Sequence, residues 1–232
     1  MSKIVQFSTI GALMSGYLRG ECDITTLHHP HAFGLGCSQG INGELTIFQG
    51  KIWEATAGQA PHPSHHHDVP FVQVTEFSAD GTLPLSDINQ DNIERHLEQH
   101  LAMQNIFLAV CIEATFEHLL IRRPQPVTDT RRSISDFAAT QQEDSLPGAE
   151  GHLIGFWTPL LFGRVSVPGF HFHFIDNQNE NSGHVLEFSA HAAQVSYQEK
   201  QTIEITNPHS DEFKKLNIDI AALDKVIDNV EK

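Results

Sequence analysis

The stretch Gly169-Phe-His-Phe-His-Phe-Ile-Asp-Asn-Gln-Asn-Glu-Asn-Ser-Gly-His184 decides how this chain is read. On a β-strand successive side chains point to opposite faces. His171 and His173 therefore share one face, about 7 Å apart at their Cα atoms, while Phe170, Phe172 and Phe174 share the other. The phenylalanine face suits a core and would hold the histidine face rigidly. The polar segment 176–183 is rich in turn formers and suits a chain reversal. If the chain reverses there, His184 returns on the next strand beside His173, about 5 Å across the pair. Three imidazoles converging on a hairpin make a zinc site that keeps a position open for chemistry. The alternative is a sheet face carrying solvated histidines.

Outward from this hairpin, most of the chain predicts strands. Ile4–Phe7 is a β-type run, followed by a short helix that Ser8 or Thr9 caps. The glycines of FGLG, 33–36, mark a turn. Asn42-Gly43 and Gln49-Gly50 punctuate INGELTIFQGKIWEA, which predicts a hairpin. Residues 58–68 form a loop and 69–77 a strand. In residues 86–104, Ile88, Ile93, Leu97 and Leu101 repeat at helical spacing with charges between them, which predicts an amphipathic helix. Strands follow over 106–114 and 116–122. Residues 124–150 are poor in apolar side chains and rich in Pro, Gln, Ser and Asp, as in an interdomain connection. Further strands lie in 152–162, 165–175, 185–188 and 195–205, and an acidic helix ends the chain. The expected class is α/β (α+β), with mixed, mostly antiparallel β-sheets in two subdomains and flanking helices. The subdomains are 1–125 and 126–232, with the metal site on a β-hairpin of the second.

Composition narrows the function. The 232 residues carry 29 acidic against 14 basic side chains, a formal net charge of −15. Such a surface repels phosphate backbones, so no nucleic-acid partner is expected. An anionic substrate would need a local cation, from a metal or a placed arginine. Cys22, Cys37 and Cys111 are odd in number and far apart, which fits reduced thiols in the cytoplasm. No stretch reads as a signal peptide or a membrane span. The sixteen histidines are the unusual feature. His62 and His65–His67 crowd one loop without a scaffold to aim them, and read as solvated. Glu44, at a strand start, and Arg122, at a strand end, carry no physical signal that separates them from surface residues.

The blocks FGLGCSQGINGEL (33–45), IGFWTP (154–159) and VPGFHFHFIDNQNENSGH (167–184) resemble the α-acetolactate decarboxylases. The opening VQFSTIGALMSGYLRG and the closing LDKVIDNVEK are similar too, in collinear order, whereas 124–150 matches poorly. The resemblance implies zinc bound by His171, His173 and His184. It brings Glu44 and Arg122 to the site as further functional residues, with a C-terminal glutamate, Glu231, or else Glu204. It implies a homodimer with the site between the two parts of the chain. The substrate it implies is a small 2-hydroxy-3-oxo acid, 2-acetolactate, which would lose CO2 through a zinc-stabilised enediolate protonated stereospecifically to acetoin. Two departures stand out: Cys37 where the family usually has threonine, and a stretch reading Arg122-Arg123-Pro124-Gln125-Pro126 where the family follows its arginine with a Thr-Val-Pro-Arg-type sequence. A cupin-like metal-dependent dioxygenase is the competing reading, weakened because its expected extra glutamate would be Glu180, in the turn. A non-catalytic zinc-binding protein is another.

Overall fold

A computed structural model describes residues 3–27, 29–64, 68–125, 134, 137 and 140–231. Among the described residues, fourteen strands build two sheets. The first runs β14 (Thr202–Thr206), β1 (Lys3–Phe7), β6 (Phe71–Glu76), β2 (Ala32–Cys37), β3 (Glu44–Phe48), β4 (Lys51–Ala55) and β5 (His62–Pro63). The second runs β10 (Gln142–Ser145), β9 (His118–Arg123), β13 (Ser182–Lys200), β12 (Gly169–Asp176), β11 (Ala149–Thr158) and β8 (Phe107–Phe116). It closes on itself, because β8 also pairs with the far half of β13, and β7 (Gly81–Asn89) adds to the same half. The β1–β14 pair is parallel. The other pairs are antiparallel.

Alternation along the closed sheet feeds two cores. In β8, Leu108, Val110 and Ile112 point into the closed sheet, while Phe107 and Ala109 point to the layer between the sheets. In β12, Phe172 and Phe174 join the closed-sheet core and Ile175 joins the inter-sheet layer. The histidine face of β12 therefore lies on the inter-sheet side, as the period of two requires. Helix α1 (Ile10–Met14) and helix α4 (Ile220–Glu231) cover that layer, with Leu223, Ile227 and Val230 buried. Thr9 caps α1, its hydroxyl accepting from the Ala12 N–H at 3.1 Å.

Three expectations change. FGLG is no turn: it lies within β2. A Cβ at Gly34 would stand 2.0 Å from the Gln73 carbonyl oxygen, and one at Gly36 2.5 Å from that of Phe71. These glycines serve close strand approach, not a positive φ. The long helix over 86–104 shrinks to α2 (Ile93–Glu98). Pairing with β13 captures 81–89 instead, placing Ile88 opposite Ala190 and in the closed-sheet core. The Asn89 side chain then accepts from the N–H groups of Asp91 and Asn92, which starts the helix late. Finally, the sheets do not divide at residue 125. β7, β8 and β9 belong to the second sheet and β14 returns to the first, because long-range pairing leaves no local signal in composition. The poorly matching stretch contributes β10, on the edge of β9, buried Ile134 and Phe137, and the first residues of β11; its residues 126–133, 135–136 and 138–139 lie outside the described residues. Short helix α3 (Asp211–Lys214) precedes α4.

Candidate active site

Register assembles the polar centre. Across the closed sheet, Arg122 of β9 lies opposite His184 of β13, His184 opposite His173 of β12, and His173 opposite Ile154 of β11. His171 projects from the same face two residues before His173. Glu44 opens β3 of the facing sheet, in register with Cys37, and Glu231 comes from the last turn of α4. The six residues thus come from four strands and one helix. The site is buried throughout: Glu44, Arg122, His171, His173 and His184 are each at most 7% exposed.

The histidines form a tight group. Their candidate ligand atoms all lie within 4.8 Å of one another, and His171 Nε2 is 3.1 Å from His184 Nδ1. His173 Nε2 stands 3.6 Å from a Glu44 oxygen. A Glu231 oxygen is 3.4 Å from His171 Nε2 and 3.9 Å from His184 Nδ1. Arg122 lies between the carboxylates, 4.0 Å from Glu44 and 3.7 Å from Glu231, and its Nε has no hydrogen-bond partner. On the far side of His173, the Thr46 hydroxyl is 3.5 Å from Nδ1 and hydrogen-bonds with Ser182 at 2.9 Å.

Burial sets the charge states. It lowers all three histidines. His173 falls to about 3, pushed further by the Arg122 charge; His171 and His184 fall well below their ordinary value, through burial and their cationic and imidazole neighbours. The imidazoles are neutral and offer lone pairs. Burial raises Glu44 to about 8, with Arg122 opposing and Glu231 adding, and it raises Glu231 too.

These residues fit a metal ion. Three neutral imidazoles with two carboxyl groups beside them are a donor set that suits a divalent cation. The 3.1 Å separation of His171 Nε2 from His184 Nδ1 is close to the edge of a tetrahedron with Zn–N bonds of 2.0–2.1 Å, roughly 3.3 Å.

A narrow cavity lies beside this centre, lined by the three histidines, Glu44, Arg122 and Glu231. Its second half is apolar: Ile10, Leu13 and Met14 of α1, with Ile41, Phe71 and Phe137. No expectation drawn from the sequence included these residues. The spacing i, i+3, i+4 in α1 was a readable helix face, but it does not say what that face covers. The other candidates lie elsewhere. Glu204 is on exposed β14, paired with Lys3 at 2.7 Å. Glu180, the extra ligand a cupin-like site would want, is exposed in the turn between β12 and β13. His62 is exposed on β5, and His65–His67 lie outside the described residues. Cys22, Cys37 and Cys111 are free thiols, and Cys37 lines the cavity.

The alpha-acetolactate decarboxylase family model matches residues 4–220. The chain belongs to that family. It is 28% identical to the alpha-acetolactate decarboxylase of Brevibacillus brevis over 212 residues, spanning 90% of this chain and 74% of that one. It is 31% identical to the one from Methanosarcina mazei over 186 residues, 79% of this chain and 65% of that one. Among solved structures, the alpha-acetolactate decarboxylase of Bacillus subtilis strain 168 superposes with a TM-score of 0.92 at 25% identity, covering 99% of both chains. A Staphylococcus aureus protein, described as of unknown function and similar to alpha-acetolactate decarboxylase, gives 0.91 at 30% identity, covering 98% of this chain and 99% of that one. The enzymes of this family are carboxy-lyases. The matched span contains Glu44, Arg122 and the three histidines and stops before Glu231. Among the described residues no helix is long and apolar enough to cross a membrane.

Proposed function

We propose that this chain is a zinc-dependent acetolactate decarboxylase that converts 2-acetolactate to acetoin and CO2. The supporting observation is the buried triad His171, His173 and His184, neutral and tightly grouped beside Arg122, Glu44 and Glu231. The three histidines would hold the metal. Bound there, zinc supplies Lewis-acid stabilisation of negative charge on the substrate's ketone and hydroxyl oxygens.

This chain's own groups do the rest. Arg122, with an unpartnered Nε, holds the anionic substrate by charge-assisted hydrogen bonds. Its charge also offsets the penalty of bringing an anion into a buried pocket. The bond to the carboxylate carbon breaks, CO2 leaves, and the bonding pair is delocalised onto the neighbouring ketone oxygen. A proton must then reach the carbon that lost CO2. Glu44 is the donor: it lies 3.6 Å from His173, and burial biases its carboxyl toward holding a proton. A fixed donor protonates one face and sets the configuration of acetoin. Glu231 is the second carboxylate, keeping the His171–His184 side of the centre negative for the cation. The apolar wall and low exposure keep water away from the reacting carbon until Glu44 has acted. The same reading makes the protein a cytoplasmic homodimer with a small-molecule substrate and no nucleic-acid or membrane partner.

Incubating the purified protein with racemic acetolactate under nitrogen tests this. Acetoin and CO2 in equal amounts, without oxygen, are expected. No acetoin, or turnover only with oxygen, would overturn the assignment in favour of oxygenase chemistry.

A further inference from the structure

The apolar half of the cavity belongs mainly to one short helix. Ile10, Leu13 and Met14 occupy positions i, i+3 and i+4 of α1, so all three side chains lie on one face, and all three line the cavity. Phe71 and Phe137 flank them. Glu44, Arg122, Glu231 and the three histidines line the same cavity. A 2-hydroxy-3-oxo acid has the matching asymmetry: carboxylate, hydroxyl and ketone oxygens on one side, alkyl substituents on the other. With its oxygens toward Arg122 and the histidines, its alkyl groups meet α1.

This wall cannot retreat as a body. Thr9 caps the helix, and the N–H groups of Ile10 and Gly11 donate to the carbonyls of Val165 and Arg164 at 3.0 and 3.2 Å. Gly11 is pressed against the next layer: a Cβ there would lie 3.0 Å from the Arg164 carbonyl oxygen and 3.1 Å from Leu223 Cδ2 of α4. The backbone is therefore fixed, and side-chain length alone sets the depth available to the substrate. Ile10 and Leu13 are branched. Met14 is unbranched, with three rotatable bonds, and is the one member of the face that can fold aside.

We propose that the Ile10–Leu13–Met14 face of α1 is the alkyl gauge of this site, and that Met14 sets the longest substituent a 2-hydroxy-3-oxo acid can carry. A methyl fits, an ethyl is accommodated when Met14 changes rotamer, and a propyl is rejected. This inference rests on the proposed reaction for its substrate class, and its test separates the two.

Zinc-loaded wild type, Met14→Ala and Met14→Leu are titrated calorimetrically with unreactive analogues, the 2-alkyl-2,3-dihydroxybutanoates bearing methyl, ethyl and propyl groups. The kcat and KM of the corresponding 2-hydroxy-3-oxo acids are measured alongside. Wild type is expected to favour methyl over propyl by tenfold or more, the scale for misfit methylenes in an apolar pocket. Met14→Ala should compress or invert that ratio by at least tenfold, through analogue affinity and KM, while kcat on acetolactate changes less. Met14→Leu, similar in volume, should keep the wild-type ratio. If Met14→Ala fails to fold, Met14→Val carries the same comparison. An unchanged methyl-to-propyl ratio in a folded truncation variant overturns the gauge, as does wild type binding all three analogues equally. A wild type that binds the analogues in the expected order but releases no CO2 from acetolactate upholds the gauge and overturns the proposed reaction.

Discussion

Glu44→Gln separates chemistry from architecture. The substitution keeps the shape of a side chain that is 5% exposed and packed at the start of β3, but the amide can neither carry the negative charge nor deliver a proton as a carboxyl does. Burial lifts Glu44 to about 8 in the metal-free protein, against the pull of Arg122. At pH 7 the metal-free protein therefore favours the neutral form of this carboxyl. Exchanging a neutral acid for a neutral amide should change the stability of that form by no more than about 1 kcal/mol. The catalytic effect should be larger. Losing a positioned proton donor costs on the order of a hundredfold or more, equivalent to about 2.7 kcal/mol of transition-state stabilisation. Zinc content should fall little, since three histidines remain. The assay follows CO2 release and acetoin by chiral gas chromatography, with elemental analysis and thermal unfolding on the same samples. A rate down a hundredfold, a lower enantiomeric excess and unchanged unfolding are expected. A variant with near-normal rate and enantiomeric excess would refute the role of Glu44 and move the proton transfer to Glu231 or another group.

Three other outcomes follow from the same geometry. His173→Ala should release most of the zinc on dialysis and abolish turnover; unchanged zinc, with metal lost instead when His65–His67 are replaced, would relocate the site. Arg122→Lys keeps the charge but loses the planar guanidinium, so kcat/KM should fall by at least tenfold; a fully active lysine variant would show that only the charge matters. Glu21 tests the contact between the segment after α1 and the residues His209 and Ser210 just before α3. Burial alone would raise its pKa, but hydrogen bonds from Ser210, Tyr17 and the backbone N–H groups of His209 and Ser210 hold it down to about 2. A lowered carboxyl stabilises the fold above its unfolded pKa near 4.5, and that contribution is lost as pH falls toward 2. Glu21→Gln should therefore lower stability at pH 7 and flatten the wild type's loss of stability between pH 4.5 and 2. Parallel pH profiles for the two proteins would contradict this.

The histidine hairpin was legible because two local patterns agree there: alternation of His and Phe, and a polar turn before His184. That arrangement needs only the period of a strand. Glu44 and Arg122 were not legible physically. Each is a charged residue at a strand end, and only the facing sheet and the pairing of β9 with β13 turn them inward; the family resemblance supplied them. The spacing of Ile88, Ile93, Leu97 and Leu101 predicts a helix over 86–104 where only Ile93–Glu98 is helical, since the hydrogen bonds of 81–89 to β13 decide the first part. FGLG misled because glycine serves both turns and close strand approach, and residues 33–36 alone do not distinguish them. The closure of the second sheet depends on contacts between Ala193–Lys200 and Phe107–Ala114, far apart in sequence. The α1 face was recognisable as helical, but its role as a cavity wall depends on what packs opposite it.

The most direct test of the account is a metal titration of the chelator-stripped protein, with acetoin formation from racemic acetolactate measured at each step. The account predicts no turnover without metal, a linear rise to a plateau at one zinc per chain, and acetoin of a single configuration at that plateau. Full activity in the stripped protein, or activity that tracks metal bound to a His173→Ala variant, would contradict it.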